Sequence, residues 1–150
     1  VQAYTARFPA CAELYETLAE LAIGDAKPAI ARRYLTQRCV DQSAAGVRYR
    51  RAQVALLQGD VAGCHERCLA LLESDARAGL GVLVCDLIAL QSTELSLALS
   101  AEEANRAMRE WSSLAMRSEK PSVRDAFLRN APVAAGTFPW LGTLQRAAAA

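Results

Sequence analysis

Histidine occurs once in this chain, at position 65, and that scarcity limits the chemistry on offer. A His–Cys or His–Ser catalytic pair would have to use His65. No G-x-S-x-G nucleophile elbow is present, and no acidic residue is marked out to orient the imidazole. Phosphate-cradling motifs are missing too: there is no G-x-G-x-x-G and no G-x-x-x-x-G-K-[ST], and Gly79-Leu80-Gly81 is a fragment of nothing specific. Aromatic residues make up only 6%. The longest apolar run, Leu80–Leu90, contains Asp86 and is too short to span a bilayer. Charge is nearly balanced at +1 with a pI near 7.8, so no global field draws the chain to nucleic acid or anionic lipid. Hydrolase, nucleotide-binding and redox mechanisms thus lack positive support. The expectation is a non-enzymatic protein with no cofactor, no nucleic acid and no membrane partner.

Five cysteines, at positions 11, 39, 64, 68 and 85, are odd in number and scattered. Each falls where a helix would bury a small residue. That favours reduced, packed thiols and a cytoplasmic setting over a disulfide framework. Cys64-His65-x-x-Cys68 raises a metal hypothesis, because cysteines four apart share one helical face. His65, however, is rotated by about 100° from them, and no C-x-x-C or H-x-x-x-H supplies further ligands. The favoured reading has both cysteines as core residues, His65 on an exposed helix surface, and no metal. The chain opens on Val without a charged region and apolar run, so no signal peptide is visible, and either the start was trimmed or the chain is cut from something longer. Arginine far outnumbers lysine and alanine is abundant, which fits a GC-rich bacterial genome.

What is present is helical periodicity. Hydrophobic residues reach 53% of 150, chiefly Ala, Leu and Val, enough for one all-α domain over residues 1–150. A first helix is expected over 9–23, with Leu14, Leu18, Leu21 and Ala22 as its buried stripe. Gly24-Asp25 ends it. A second follows over 27–42, burying Ile30, Ala31, Tyr34, Leu35 and Cys39. Ser43 is a candidate N-cap for a third, 44–58; Gly59 supplies positive φ, and Asp60 caps a fourth, 61–74. Asp75 precedes an apolar helix over 76–91, with 92–99 ambiguous. Ser100 and Glu103 form a capping box before a helix over 101–118. Pro121 breaks the chain, Ser122 caps a short helix over 123–130, a loop follows, and a final helix covers 141–149.

Self-similarity appears at a spacing of 33 residues: Ala19 matches Ala52 and Cys85, Ala31 matches Cys64, and Leu35 matches Cys68. Small residues at such positions let antiparallel helices cross closely. The pattern resembles the tetratricopeptide repeat (TPR). In residues 45–75, Ala52, Cys64 and Gly59 stand at its small and turn positions, and Tyr49, Leu71 and Leu72 also fit. Residues 12–42 share Ala19, Ala31 and Leu35, although the Gly24-Asp25 turn comes two residues early. Residues 78–118 keep Cys85 at the small position. The tail VRDAFLRNAP is similar to the segment closing the TPR arrays of large bacterial transcriptional regulators, through Phe127, Leu128 and Pro132. The resemblance implies a short solenoid of about seven helices acting as a protein-interaction or regulatory module.

On that analogy the partner-binding residues are Glu13, Glu16 and Glu20 on the first helix with Tyr49, Gln53 and Leu56 on the third. They would make an acidic, aromatic and apolar groove for a basic or amphipathic peptide or protein; the bland alternative is a solvated helix face. Arg32, Arg33, Arg38, Arg48, Arg50 and Arg51 form a basic cluster that either contacts phosphate or an acidic partner or forms salt bridges to neighbouring helices. Trp111 is expected in the core. Phe138 and Trp140 either fold back as a cap or dock another chain. The rival functional reading is a small-molecule effector domain with an apolar pocket under the 80–90 helix.

Overall fold

The computed structural model describes residues 9–74 and 78–149, and among these the chain forms nine α-helices and no strand. The helices are α1 (Pro9–Gly24), α2 (Pro28–Leu35), α3 (Ala45–Leu57), α4 (Val61–Ser74), α5 (Ala78–Leu90), α6 (Ser92–Ala98), α7 (Ala101–Met116), α8 (Pro121–Ala134) and α9 (Pro139–Ala149). The expected helix start at Asp75–Ala76 lies outside the described residues. Backbone packing separates two compact units, Val1–Arg67 and Cys68–Ala150. No single helix among the described residues is long and apolar enough to cross a membrane.

In the first unit α1 packs on both α2 and α3, and α2 packs on α3. Their core joins Ala19, Ala22, Ala31, Leu35, Cys39, Val40, Val47 and Val54, with Tyr15 and Tyr34 against it. Ala19 and Ala31 are both fully buried, as close crossing of α1 and α2 requires. That crossing corrects the expected apolar stripe. At 100° per residue Ala19 and the strip of Leu14, Leu18 and Leu21 lie on different sides of α1. With alanine inside, Leu14 and Leu21 turn outward and stay 56% and 62% exposed. Ile30 is likewise exposed rather than core.

Helix α2 also ends seven residues before its expected limit. Side chains take over its last carbonyls: Thr36 and Gln37 both donate to Arg33 O, and Gln42 Nε2 donates to Leu35 O at 2.6 Å. These local bonds compete with helix continuation. Cys39 and Val40 then enter the core from turns instead of from a helix. Ser43 does not cap α3. Its N–H and hydroxyl donate to Asp41 Oδ1, holding that carboxyl below its ordinary range.

The turns after α1 and α3 have the same hydrogen bonds. Ala26 N–H donates to Ile23 O and Lys27 N–H to Ala22 O; Gly59 N–H donates to Leu56 O and Asp60 N–H to Ala55 O. Ala26 and Gly59 are the residues at positive φ, +56° and +83°. The pattern is that of a helix stopped by one left-handed residue. So the residue that corresponds to Gly59 is Ala26, and Gly24-Asp25 is not an early turn. Asp60 caps α4 as expected, accepting the Gly63 N–H at 2.9 Å.

The second unit is organised around α8, which packs on α5, α7 and α9. A Cβ added at Gly81 would stand 2.7 Å from Val123 Cγ2, so glycine permits the close approach of α5 and α8. Trp111 is fully buried and meets Phe127 edge-on at 4.8 Å. Its Nε1–H donates to Cys85 Sγ at 3.5 Å. The ambiguous 92–99 segment is helix α6, bent 57° from α5. The capping box forms: Glu103 N–H donates to Ser100 Oγ, whose hydroxyl donates to the Glu103 carboxylate. Pro121 opens α8 at its first turn instead of breaking the chain, as suits a residue with no N–H. The helix then runs through Pro132, which stays exposed while Ala131 and Ala134 are buried beside it. The expected loop is therefore largely helical. Phe138 is buried, and Trp140 Nε1–H donates to Asn105 Oδ1 at 2.8 Å, so both aromatics fold back onto their own chain.

Candidate functional site

The acidic residues of α1 meet α3 through one arginine. Arg50 Nη2 lies 3.3 Å from Glu20 Oε1, and Arg50 Nη1 donates to Gln53 Oε1 at 2.9 Å. Its guanidinium carbon stands 5.7 Å from the centre of the Tyr49 ring. Packing of α1 on α3 thus brings Glu20, Arg50, Gln53 and Tyr49 together. Glu16 belongs to the same neighbourhood. Partial burial, then repulsion from Glu13, raises its pKa; Arg50 opposes the shift and Asp41 adds to it. Glu13 and Glu20 are exposed, whereas Glu16, Gln53 and Leu56 are half-buried. Tyr49 corrects the expectation of an open aromatic contact: it is only 8% exposed, because its side of α3 faces the interior.

The sequence reading did not anticipate the strip beside these acids. At 100° steps Glu16, Glu20 and Glu13 occupy one edge of the outer face of α1, and Leu21, Leu14 and Leu18 occupy the adjoining edge. An acidic band therefore borders an apolar one. The signal was available, because a helix using Ala19 for close packing cannot also bury the Leu14–Leu21 strip.

The arginine run does not stay together: Arg33 lies beside Tyr34 and Gln37, and Arg38 beside Cys11 and Cys39. Arg50 takes the salt bridge just described. Arg32 and Arg51 line a hollow of about 170 Å³ together with Arg67, Leu35, Val54, Ala55, Gln58 and Asp60. Arg51 Nε–H donates to Gln42 Oε1 at 2.8 Å, and its Nη2 engages the same oxygen. Gln42 is in turn held by its amide on the Leu35 and Val40 carbonyls. Burial, followed by the charges of Arg67 and Arg32, lowers the Arg51 pKa from its ordinary value. Arg67 escaped the sequence cluster because it lies beyond the turn; it and Arg51 are each eight residues from Gly59.

His65 is 2% exposed, which corrects the expected surface position. Cys64 and Cys68 on the same helix are fully buried. Among the described residues no three His, Cys, Asp or Glu side chains gather as a metal-holding group. None of the five cysteines is in a disulfide. Cys11 Sγ and Cys39 Sγ are nevertheless 3.1 Å apart, joining α1 to the turn after α2. Burial pushes the Cys85 thiol up to about 11. No protein-family model, curated protein or solved structure matches the chain.

Proposed function

We propose that this chain is a TPR-like helical-repeat module that binds a protein partner non-catalytically, as part of a bacterial regulatory assembly. Recurrence of the hairpin supports the repeat. Helices α1, α3 and α5 end at Gly24, Leu57 and Leu90, 33 residues apart each time, and α2 and α4 begin 33 apart. The observation that carries the binding role is the outer face of α1, where exposed Leu14 and Leu21 border Glu13, Glu16 and Glu20. Leucines left outside a closely packed helix are available to a partner. The bordering carboxylates select a basic one and steer its approach. A helix carrying leucines on one edge and Lys or Arg on the next fits that face. Gln53 and Leu56 would border the contact from α3, with Tyr49 and Arg50 forming its support.

A peptide-display selection tests this reading. The wild-type chain is expected to enrich amphipathic basic helices that carry leucine. Leu14→Gln combined with Leu21→Gln should abolish their binding, and Glu13→Lys should weaken it most at low salt. Enrichment of no such helix, or equal binding by the leucine double variant, would remove the α1 face as the partner site.

A further inference from the structure

We infer that the hollow between Arg32, Arg51 and Arg67 is a binding site for a phosphate-sized oxyanion, either inorganic phosphate or the phosphoryl group of a small monoester. Three guanidiniums reach it from three successive helices. Asp60 is the one carboxylate lining it, and its Oδ1 is engaged by the Gly63 N–H. No salt bridge joins any of the three arginines to an acid among the described residues. Like charges gathered in one hollow repel, and an anion bound between them would relieve that repulsion. Arg51 is partly buried, and burial first, then the charges of Arg67 and Arg32, disfavour its cationic form.

The geometry is prepared for an anion. Gln42 fixes the Arg51 fork, so little side-chain freedom is lost on binding. Leu35, Val54 and Ala55 supply an apolar wall, which strengthens the field of the neighbouring cations. Guanidinium forks match phosphate oxygens in pairs. At about 170 Å³ the space is smaller than the roughly 300–1,000 Å³ that drug-sized ligands fill. A single phosphoryl group fits that scale, with any attached organic part projecting to solvent. The site is on α2, α3 and α4, away from the outer face of α1, and stands or falls independently of the partner surface.

Calorimetric titration of the whole chain at fixed ionic strength, with inorganic phosphate and separately with glycerol 3-phosphate, tests the site. At least one should bind saturably with one site per chain. Arg51→Gln and Arg67→Gln should each weaken binding about tenfold or more, the scale of a lost charge-assisted hydrogen bond. Arg124→Gln, an exposed change in the other unit, should leave it unaltered. Arg67→Lys keeps the charge and loses the fork, so it should fall between wild type and Arg67→Gln. Tighter binding of the monoester identifies a phosphorylated small molecule, and tighter binding of phosphate identifies the free ion. Arg67 is exposed and its substitution should leave the melting temperature without phosphate unchanged, so loss of binding there is not loss of fold. No saturable binding of either probe at tens of millimolar, or equal binding by wild type, Arg51→Gln and Arg67→Gln, would overturn the inference.

Discussion

Replacing Ala26 with glycine should stabilise the protein, although it removes a side chain from a helical fold. Ala26 holds φ +56°, and Gly59, at the corresponding place in the next hairpin, holds φ +83°. A left-handed conformation costs an L-residue roughly 1–2 kcal/mol because Cβ crowds the backbone. Glycine avoids that strain but has more freedom to lose on folding, about 0.4–1 kcal/mol. The difference leaves Ala26→Gly more stable by about 0.8 kcal/mol at the middle of those ranges and at most about 1.6, and Gly59→Ala less stable by a similar amount. Packing does not confuse the comparison: Ala26 is exposed, and a Cβ at Gly59 meets nothing within 4 Å. Urea unfolding followed by circular dichroism reads the effect. With a slope of about 2 kcal/mol/M, the midpoint should rise by about 0.4 M for Ala26→Gly and fall by about as much for Gly59→Ala. An unchanged or lowered midpoint for Ala26→Gly would refute the argument, because the backbone would then not carry the strain assigned to it.

Ala52 is fully buried, so Ala52→Leu should overpack α3 and cost about 1–3 kcal/mol in the same urea assay; an unchanged midpoint would contradict that burial. A thiol titration of reduced, denatured protein should count five groups, whereas diamide should first join Cys11 to Cys39, whose sulfurs are 3.1 Å apart, leaving three. Peptide mapping that finds a different pair would refute that order. Glu16 titrates above its ordinary value of 4.5, so the folded state binds its proton more tightly than the unfolded state. Stability should therefore fall as pH rises through that window. Glu16→Gln should raise stability at pH 7 by well under about 1 kcal/mol, because solvent still screens the half-buried group, and the accompanying rise in melting temperature should vanish once acid protonates Glu16. A gain that persists in acid would assign the effect to something other than this carboxyl.

Local rules with short reach could be read directly from the residues. The Ser100–Glu103 capping box, the Asp60 cap and the left-handed Gly59 each depend on a few neighbouring positions, and each formed as expected. The 33-residue spacing located Ala19, Ala31, Ala52 and Cys64, all of which are fully buried. Errors arose where a local preference met a tertiary demand. Leucine in α1 favours burial, yet the crossing needs alanine, so Leu14 and Leu21 were displaced outward. Periodicity continued α2 through residue 42, but Thr36, Gln37 and Gln42 took its carbonyls. Pro132 signalled a loop, yet burial of Ala131 and Ala134 held the helix around it. The left-handed Ala26 was hidden for a simpler reason: alanine gives no sign of positive φ, whereas the adjacent Gly24 invites it.

The candidate sites show how far one helical step can redirect a charge. Arg50 and Arg51 are neighbours in sequence and looked like members of one basic patch. A step of about 100° sends Arg50 toward α1, where Glu20 and Gln53 take it, and Arg51 toward Arg32 and Arg67. The first arginine is thereby neutralised within the fold, and it ties the acidic stripe of α1 to α3. The second is held among like charges by a glutamine that offers orientation but no compensating charge. Counting arginines along the chain therefore misplaces the cationic site in two ways: it includes Arg50, which is already paired, and omits Arg67, which arrives across the Gly59 turn. The turn geometry places Arg67, so the residue that stops α3 also determines which cations share the hollow.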